Sequence, residues 1–217
     1  MARQRQHVPP PPVPRLYLVA PRVECAPELG HDLDQTLAAA DVAAVLLRLP
    51  DAGERALIAY ATAIVPVVQG RGAALLLDGH PEIVAGAAAD GVHLTGVDAF
   101  TAARDRLQPQ RIAGVGGLRT RHDAMLAAER GADYVMFGEP DPGRAPFDAI
   151  VERVAWWAEL FEPPCVGYAE SLDEVAALAA AGADFVALGA FVFSDSRRAC
   201  AMMQAAAERL TAPEPVK

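Results

Sequence analysis

Polar side chains that could do chemistry follow several short apolar segments of the sequence, each at the point where the segment ends. Asp78 and Asp98 come after two neighbouring segments, so their carboxylates could hold one hard cation such as Mg²⁺ that also meets a phosphate. A turn residue at Asp78 and a helix N-cap at Asp98 would explain the same aspartates without a metal. Both interpretations stay open at this point.

Gly189 and Ala190 are candidates for binding phosphate. They supply bare backbone N–H groups before the last predicted helix, where barrels often hold phosphate. Any tight turn would also favour glycine at position 189, so both interpretations stay open.

Further titratable residues lie after the same segments and are candidates for the lining of a pocket: His80, His93, Glu139 and Glu170. Histidine titrates near neutral pH and could act as an acid or a base, but a satisfied polar side chain is the more common role. The spacing of these residues fixes no acid–base pair. We therefore assign no catalytic residue from the sequence.

The elements that must position these side chains alternate between short apolar segments and longer alanine-rich ones. Nearly continuous apolar segments predict strands covered on both faces, at 16–20, 43–49, 73–77, 91–94, 111–115, 134–137, 165–167 and 185–188. Helices are predicted between them, at 32–40, 52–69, 81–88, 98–106, 120–130, 145–160, 171–181 and 195–210. Asp51, Thr120 and Ser171 are predicted helix N-caps, and Glu54 and Glu174 are the predicted capping-box partners of Asp51 and Ser171. Gly131 and Gly182 are predicted to end their helices.

A small residue and an aspartate precede four of the predicted strands. These aspartates, Asp41, Asp90, Asp133 and Asp184, recur 49, 43 and 51 residues apart, a period that holds two strand–helix units. Four such pairs predict a single-domain α/β fold, the (βα)8 TIM barrel. An open doubly wound sheet is the alternative, but Ala20-Pro21-Arg22-Val23 is not its glycine-rich turn. Because the aspartates precede their strands, they lie at the bottom face, and a structural role is predicted.

The amino-acid composition limits the binding partners and the cellular location that the protein can have. A net charge of −9 and 6% aromatic residues argue against nucleic acid, and no apolar run is long enough to span a membrane. An odd number of cysteines, far apart in the chain, indicates reduced thiols and a cytoplasmic protein. We place the barrel at 16–210, between an extended proline-rich arm over 1–15, which has no apolar signal segment, and a frayed tail over 211–217.

Taken together, these segments resemble the thiamine phosphate synthase and TenI family. The resemblance covers nearly the whole chain, through the motifs Leu16-Tyr17-Leu18-Val19, Ala89-Asp90-Gly91-Val92-His93-Leu94, Gly131-Ala132-Asp133-Tyr134-Val135 and Gly182-Ala183-Asp184-Phe185-Val186-Ala187. It implies a homodimeric (βα)8 barrel in thiamine biosynthesis. Synthases of this family join a hydroxymethylpyrimidine diphosphate to a thiazole phosphate. Mg²⁺ helps the diphosphate to leave, and the thiazole nitrogen captures the cationic pyrimidine.

Positions around strands two to four depart in part from the family's pattern. The family has a glutamine, an arginine and a lysine after strand two, and here Leu46, Arg48 and Pro50 stand at those positions. Only the arginine is kept. The chain therefore lacks the lysine that would contact the diphosphate and the side-chain amide that would bind the pyrimidine. The two aspartates that hold the metal are kept as Asp78 and Asp98.

Positions after strands five to seven depart further. Gly116 and Leu118 stand where the family has a serine or threonine and a histidine, and tautomerase members use a histidine in that segment. The sequence of the loop after strand six, at 139–144, differs from the family's. Arg144 in this loop could replace the family's lysine. Glu170 stands in the glycine-rich phosphate loop after strand seven, where a carboxylate would repel phosphate.

These departures predict a barrel that binds a phosphorylated heterocycle but has weak or lost synthase activity. Removing even one charge-stabilising donor typically costs about 10²–10³ in rate. A non-catalytic ligand-binding or regulatory barrel is one alternative. Different chemistry carried by new groups, among them His80, His93 and Glu139, is another.

Overall fold

The computed structural model describes residues 13–107, 109–139, 144–194 and 198–211. Eight parallel strands close into one barrel in the order of the chain, since β1 pairs with both β2 and β8. The strands are β1 Arg15–Val19, β2 Val42–Leu47, β3 Ala74–Asp78, β4 Gly91–Thr95, β5 Ile112–Gly116, β6 Tyr134–Phe137, β7 Cys165–Ala169 and β8 Phe185–Leu188. The (βα)8 barrel is thereby confirmed, and the open doubly wound sheet is excluded.

Eight α-helices follow the strands in the described part of the chain, with one 3₁₀ turn after β8. The helices are α1 Ala26–Leu37, α2 Glu54–Gln69, α3 Val84–Ala87, α4 Val97–Leu107, α5 Arg121–Glu129, α6 Phe147–Leu160, α7 Leu172–Ala180 and α8 Ala199–Thr211, and the 3₁₀ turn is Ala190–Phe193. In the ranges that the structure describes, none of them combines the length and the apolar composition that crossing a bilayer needs.

Most predicted elements agree with the structure within one or two residues. The largest shift is α1, which begins at Ala26 rather than at residue 32, with Pro27 in its first turn where proline is tolerated. Arg15, predicted to belong to the arm, is the first residue of β1, and Thr211, predicted to belong to the tail, is the last residue of α8. The rest of the predicted arm up to residue 12, and residues 212–217, lie outside the described residues.

Two of the three predicted N-caps are confirmed. Thr120 accepts a hydrogen bond from the Asp123 backbone N–H and forms a complete capping box, and Ser171 accepts the N–H of Glu174. Asp51 was wrong as an N-cap, and with it the Asp51–Glu54 box, because α2 begins two residues later than predicted, after Gly53, with no side-chain cap.

The predicted capping box between Ser171 and Glu174 was also wrong. The Glu174 carboxylate accepts the backbone N–H of Glu170 at 2.7 Å and pairs with Arg144 instead of returning to the N-cap. The Glu174 carboxylate thus pairs with Arg144, whereas the local sequence pattern predicts that it accepts the backbone N–H of the N-cap residue Ser171.

The repeated aspartates form hydrogen bonds at the bottom of the barrel. Three carboxylates accept a backbone N–H at or next to the start of the preceding strand, at 2.7 to 2.8 Å: Asp90 from Leu75, Asp133 from Ala113 and Asp184 from Cys165. Asp41 instead forms a two-bond pair with the Arg15 side chain. These contacts confirm the structural role, because each joins two neighbouring strands.

Buried side chains form two clusters on the two faces of the barrel wall. The larger cluster fills the space between strands and helices. The smaller one fills the barrel interior with Tyr17, Val19, Ala44, Leu46, Leu76, Tyr134, Met136, Val166, Tyr168 and Ala187. The interior is therefore packed, as is usual for this architecture, and space for a ligand is left at the barrel ends.

Candidate functional site

A cavity of about 150 Å³ opens at the carboxyl ends of the strands, from β1 to β6. Its lining is Val19, Leu46, Arg48, Asp78, His93, Thr95, Gly117, Met136 and Glu139. Four residues that the sequence singled out as ligand or pocket candidates therefore meet here: Arg48, Asp78, His93 and Glu139. Carboxyl ends of barrel strands are where enzymes of this architecture place their chemistry.

Arg48 and Asp78 face each other at the mouth of this cavity. Their closest atoms, Nε and Oδ2, are 3.6 Å apart, and each side chain is about a third exposed. That distance is too long for a hydrogen bond, and the guanidinium has no hydrogen-bond partner among the described residues. Arg48 therefore keeps its donors free for an anionic ligand.

A chain of three buried side chains runs from the barrel interior to the cavity. The hydroxyls of Tyr17 and Tyr134 are 3.0 Å apart, and the Tyr134 hydroxyl lies 2.9 Å from Nδ1 of His93. Burial raises the pKa of both tyrosines far above its ordinary value, and the charges of Asp78 and Glu139 raise the pKa of each further. Both phenols are therefore neutral and can donate.

Donor and acceptor matching along this chain assigns the tautomer of His93. If Tyr17 donates to Tyr134 and Tyr134 donates to Nδ1, each hydroxyl proton has an acceptor and the imidazole proton lies on Nε2. The opposite order would leave the Tyr17 proton unpaired in the described structure and would turn the Nε2 lone pair toward the Glu139 carboxylate. We therefore assign the N–H to Nε2.

His93 Nε2 and Glu139 form the inner wall of the cavity. Nε2 is 3.7 Å from Oε1 of Glu139, and it is a buried side-chain nitrogen for which the described residues supply no hydrogen-bond partner. The His93 side chain is 3% exposed and that of Glu139 is 22% exposed. Glu139 is held in place because its Oε1 accepts the Gly117 backbone N–H at 2.6 Å.

Two glycines on the inner face of β5 make room for this arrangement. A Cβ at Gly116 would lie 1.5 Å from Oε1 of Glu139 and 2.5 Å from Nε2 of His93. A Cβ at Gly114 would lie 1.9 Å from the Tyr134 ring. The side chain that the family carries at position 116 is therefore incompatible with the observed position of Glu139.

The predicted metal ligands separate in the structure. Asp78 lines the cavity, whereas Asp98 is exposed in the first turn of α4 and does not line it. Within the described ranges, no group of three or more metal-binding side chains occurs. Mg²⁺ often takes only one or two carboxylates together with phosphate oxygens, so Asp78 fits a cation that a phosphorylated substrate brings with it.

Arg144, a predicted phosphate ligand, is already engaged by the protein. Its guanidinium donates to the carboxylates of Glu170 and Glu174 and to the carbonyls of Gly138 and Tyr168, at 3.0 to 3.2 Å. The side chain is 17% exposed. Arg144 thus joins the ends of β6 and β7, and Glu170 faces this arginine.

The predicted phosphate turn at Gly189 and Ala190 is covered by a tyrosine. A Cβ at Gly189 would lie 1.9 Å from the Tyr168 hydroxyl, and a backbone hydrogen bond from Ala190 to this hydroxyl partly offsets the rise that burial causes in the Tyr168 pKa. An anion could reach these N–H groups only after Tyr168 moved.

The remaining candidate, His80, lies outside the cavity. Its Nδ1 pairs with Glu82 at 3.0 Å, and both side chains are more than 40% exposed. Leu118, at the position where the family has a histidine, is buried in the outer core.

Tyr17 and Tyr134 are site residues that the sequence reasoning missed. Both face the barrel interior, and a buried tyrosine needs a partner for its hydroxyl. The available signal was Gly114 and Gly116, two residues apart on one strand, since glycines on one face of a strand indicate a close approach by something large.

The fold and the cavity together define a class of protein: a closed (βα)8 barrel with charged side chains at the carboxyl ends of its strands. The thiamine monophosphate synthase family model matches residues 16–192. The chain belongs to this family.

Curated relatives agree with the family assignment, and a solved structure agrees with the fold. The chain is 38% identical to the thiamine-phosphate synthase of Rhodospirillum centenum, over 80% of the chain and 86% of the relative. It is 34% identical to that of Hyphomonas neptunium, over 85% and 88%. The thiamine phosphate pyrophosphorylase structure from Pyrococcus furiosus superposes with a TM-score of 0.75 at 19% identity, over 91% of the chain and 95% of that structure.

The barrel itself is shared more widely. The (S)-3-O-geranylgeranylglyceryl phosphate synthase structure from Thermoplasma acidophilum superposes with a TM-score of 0.66 at 14% identity, over 91% of the chain and 93% of that structure. At this identity the likeness concerns the fold alone.

Proposed function

We propose that this barrel binds a phosphorylated heterocycle of thiamine biosynthesis in the cavity at its carboxyl end. The observation that carries the proposal is the free guanidinium of Arg48 at the cavity mouth, 3.6 Å from Asp78 and without a hydrogen bond to a described residue. Arginine is well suited to binding phosphate because it is always charged and offers several donors in one plane. Family membership supplies the ligand class.

The second part of the proposal is that thiamine phosphate synthesis is slow. Leu46 is a buried apolar side chain where the family has an amide, and the buried Pro50 stands at the family's lysine position. Glu139 adds a second carboxylate to a cavity that would have to accept a diphosphate. The Gly189 turn, covered by Tyr168, offers no open cradle for a second phosphate.

Asp78 would hold Mg²⁺ together with phosphate oxygens of the ligand. Bound there, the cation would offset the repulsion between the cavity carboxylates and the phosphates and would stabilise a leaving diphosphate. Arg48 would contact the same phosphates from the other side of the cavity mouth. Asp98 would act only through water or through the ligand, since it does not line the cavity.

The rate and the binding are tested separately. Given both synthase substrates and Mg²⁺, the purified chain should turn over at least about 10²-fold more slowly than a relative that carries the complete motifs. Calorimetry should nevertheless detect binding of the hydroxymethylpyrimidine diphosphate in the presence of Mg²⁺. Arg48→Gln should abolish that binding, whereas Arg55→Gln, an exposed arginine on α2, should not change it.

A rate equal to that of the motif-complete relative would contradict the slow-synthesis part. Binding that survives in Arg48→Gln would contradict the role of Arg48. Binding without any turnover would identify a non-catalytic barrel, the alternative that the sequence left open.

We also propose that the protein is a homodimer. Support comes from the family resemblance and from two large apolar side chains on the neighbouring helices α5 and α6, Met125 and Leu160, which are 38% and 62% exposed. Light scattering at micromolar concentration should give twice the chain mass, and a monomer mass would contradict the proposal.

A reducing, cytoplasmic location is the last part of the proposal. It is supported by the three cysteines, all of which are free. Cys25 is exposed and would be oxidised in a compartment that promotes disulfides. Fractionation of cells that express the protein should recover it with cytoplasmic markers.

A further inference from the structure

We propose that two adjoining apolar cavities at the amino ends of the strands are the docking site for a segment of this chain itself, Val8–Pro12. Residues 1–12 lie outside the described residues. The docking site is at the opposite end of the barrel from the cavity that is proposed to bind phosphate, so it does not depend on the ligand there.

The smaller cavity, of about 300 Å³, opens at the amino ends of the strands. In the part of the chain that the structure describes, its lining is apolar apart from two tyrosines and two charged residues, Arg15 and Asp133. Both charges are already engaged. The Arg15 guanidinium donates two hydrogen bonds to Asp41, and the Asp133 carboxylate accepts the Ala113 backbone N–H. The cavity therefore suits an apolar, uncharged occupant.

The larger cavity, of about 660 Å³, lies beside the first, at the carboxyl ends of α6, α7 and α8. The two cavities share Arg15, Pro164 and Phe185 in their linings, so their walls form one continuous surface. Val13, the first described residue, lines the larger cavity and is 58% exposed. The chain that precedes Val13 is therefore joined directly to this surface.

The segment before Val13 is long enough to reach both cavities. Five residues of extended, proline-rich chain span about 15 Å. The strands β1 and β3 are separated by β2 alone, and two strand spacings amount to about 10 Å. Val8–Pro12 can therefore extend from the larger cavity to Ala74, on the far side of the smaller one.

The composition of Val8–Pro12 matches the docking surface. Four consecutive prolines bring apolar rings and no backbone N–H, so their burial leaves no donor without a partner. Proline-rich segments bind grooves lined by aromatic side chains, because their backbone loses little freedom on binding. Aromatic side chains line both cavities here: Phe161 in the larger, Tyr17 and Tyr134 in the smaller, and Phe185 in both.

Charge around the cavities also matches the arm. Glu162 and Asp184 line the larger cavity, and Asp133 lines the smaller one. The sequence before the prolines contains Arg3 and Arg5 and no acidic residue. With the prolines in the cavities, these arginines would lie near the carboxylates at the rim, and the opposite charges would favour this orientation.

The tail over 212–217 is the competing occupant, because Thr211 at the end of α8 lines the larger cavity. Its charged side chains are Glu214 and Lys217, which give it no net positive charge to match the carboxylates. Its two prolines are separated by the glutamate, so the tail has no continuous apolar segment. The arm is therefore the better occupant, and the tail supplies a matched control.

Charged side chains in the proline segment test the docking in the full chain. Pro10→Glu combined with Pro11→Glu should lower the melting temperature by at least about 3 °C, because a carboxylate is not accommodated in an apolar cavity and the docking contacts are lost. Fluorescence of 8-anilinonaphthalene-1-sulfonate, a dye that binds accessible apolar surface, should rise at least about twofold. Pro213→Glu combined with Pro215→Glu in the tail is the control, and it should change neither reading.

Photochemical cross-linking identifies the occupant. Benzoylphenylalanine in place of Pro10 should, on irradiation, form a cross-link to residues that line the smaller cavity, and mass spectrometry of the digested protein locates it. The same group in place of Val216 should give no cross-link there.

An unchanged melting temperature and unchanged dye fluorescence in the arm variant would overturn the proposal. An equal response of the tail variant would overturn it as well. A cross-link that joins two chains would also overturn it, because a second copy would then supply the occupant. None of these outcomes changes the expectation for phosphate binding at the other end of the barrel.

Discussion

Two histidine–glutamate pairs in this chain show how burial decides what a pair of residues can do. His80 and Glu82 lie 3.0 Å apart, but each is more than 40% exposed, so water competes for every hydrogen bond. His93 is 3% exposed, and its contact with Glu139 faces a cavity lined by other charged groups. The sequence assigned equal weight to both histidines because burial is a property of the closed barrel.

At the residue scale, a further prediction concerns Asp78 and the metal. Adding Mg²⁺ with inorganic pyrophosphate should raise the melting temperature of the protein, because Asp78 would help to hold the cation and the anion on the folded chain. Asp78→Asn should abolish this shift. Asp98→Asn should reduce it much less, since Asp98 lies outside the cavity lining.

Differential scanning fluorimetry measures both variants in the same plate. An unchanged shift in Asp78→Asn would remove Asp78 from the site. Equal losses in the two variants would instead restore the pair of metal ligands that the sequence predicts.

The candidate site could be predicted from the sequence only in part, for physical reasons. Arg48, Asp78 and Glu139 follow the ends of strands, so the rule that polar residues meet at the carboxyl ends was enough to select them. Tyr17 and Tyr134 come together across the barrel, and their contact depends on the register and tilt of β1 and β6. A linear pattern does not contain that register.

At the element scale, the aspartates that precede the strands join neighbouring β-strands. Asp90 donates its backbone N–H to the Leu75 carbonyl, and its carboxylate accepts the Leu75 N–H at 2.7 Å. Asp133 and Asp184 repeat this pair of bonds with the strands before them. The motif therefore fixes the bottom of the barrel at every second strand.

Asp90→Ala should lower the free energy of unfolding by about 1–3 kcal/mol, because the Leu75 N–H is left without its acceptor in a partly buried position. Urea denaturation measures the change. Asp105→Ala is the matched control: Asp105 is 84% exposed and, among the residues that the structure describes, pairs with its neighbour Arg104 alone, so about 0.5 kcal/mol or less is expected. Equal effects of the two substitutions would contradict the structural role of Asp90.

Helix and strand positions were predictable where local chemistry decides them. Thr120 and the glycines Gly131 and Gly182 were placed correctly because an N-cap side chain and a positive φ are local requirements. Asp51 was wrong as an N-cap because nothing local distinguishes an N-cap from a polar loop residue two positions earlier. Glu174 was misassigned because its partner, Arg144, comes from a distant part of the chain.

At the scale of the whole molecule, the arginine ion pairs keep their charges at alkaline pH. The buried thiol and phenol groups of the core, in contrast, make the folded state less stable there. Lys217 is the only lysine of the chain, so every cationic partner in the ion pairs is an arginine or a histidine. Arginine stays charged to above pH 12. Burial meanwhile raises the pKa of the Cys165 thiol to about 12 and raises the pKa of Tyr17 and Tyr134 as well.

These raised pKa values predict that stability falls as pH rises. In the unfolded chain a thiol loses its proton near pH 8.5 and a phenol near pH 10, whereas the folded chain keeps these protons. The unfolded state then binds fewer protons, so each such group lowers the free energy of unfolding by about 1.4 kcal/mol per pH unit above its unfolded pKa. Stability should be unaffected by these groups below about pH 8.

Urea midpoints measured from pH 7 to pH 11 test this expectation. Cys165→Ala removes one of the three groups, so its curve should fall less steeply between about pH 8.5 and pH 10, where the thiol alone contributes. Parallel curves for the variant and the unmodified chain would contradict the role of Cys165.

The glycine at position 116 also makes residues 116 and 139 depend on each other. A Cβ at position 116 would lie 1.5 Å from Oε1 of Glu139, so the observed position of this carboxylate requires glycine there. Substitutions at the two positions should therefore be epistatic. A serine introduced at 116 would displace Glu139, and it should be tolerated better in a chain with alanine at 139 than in the unmodified chain.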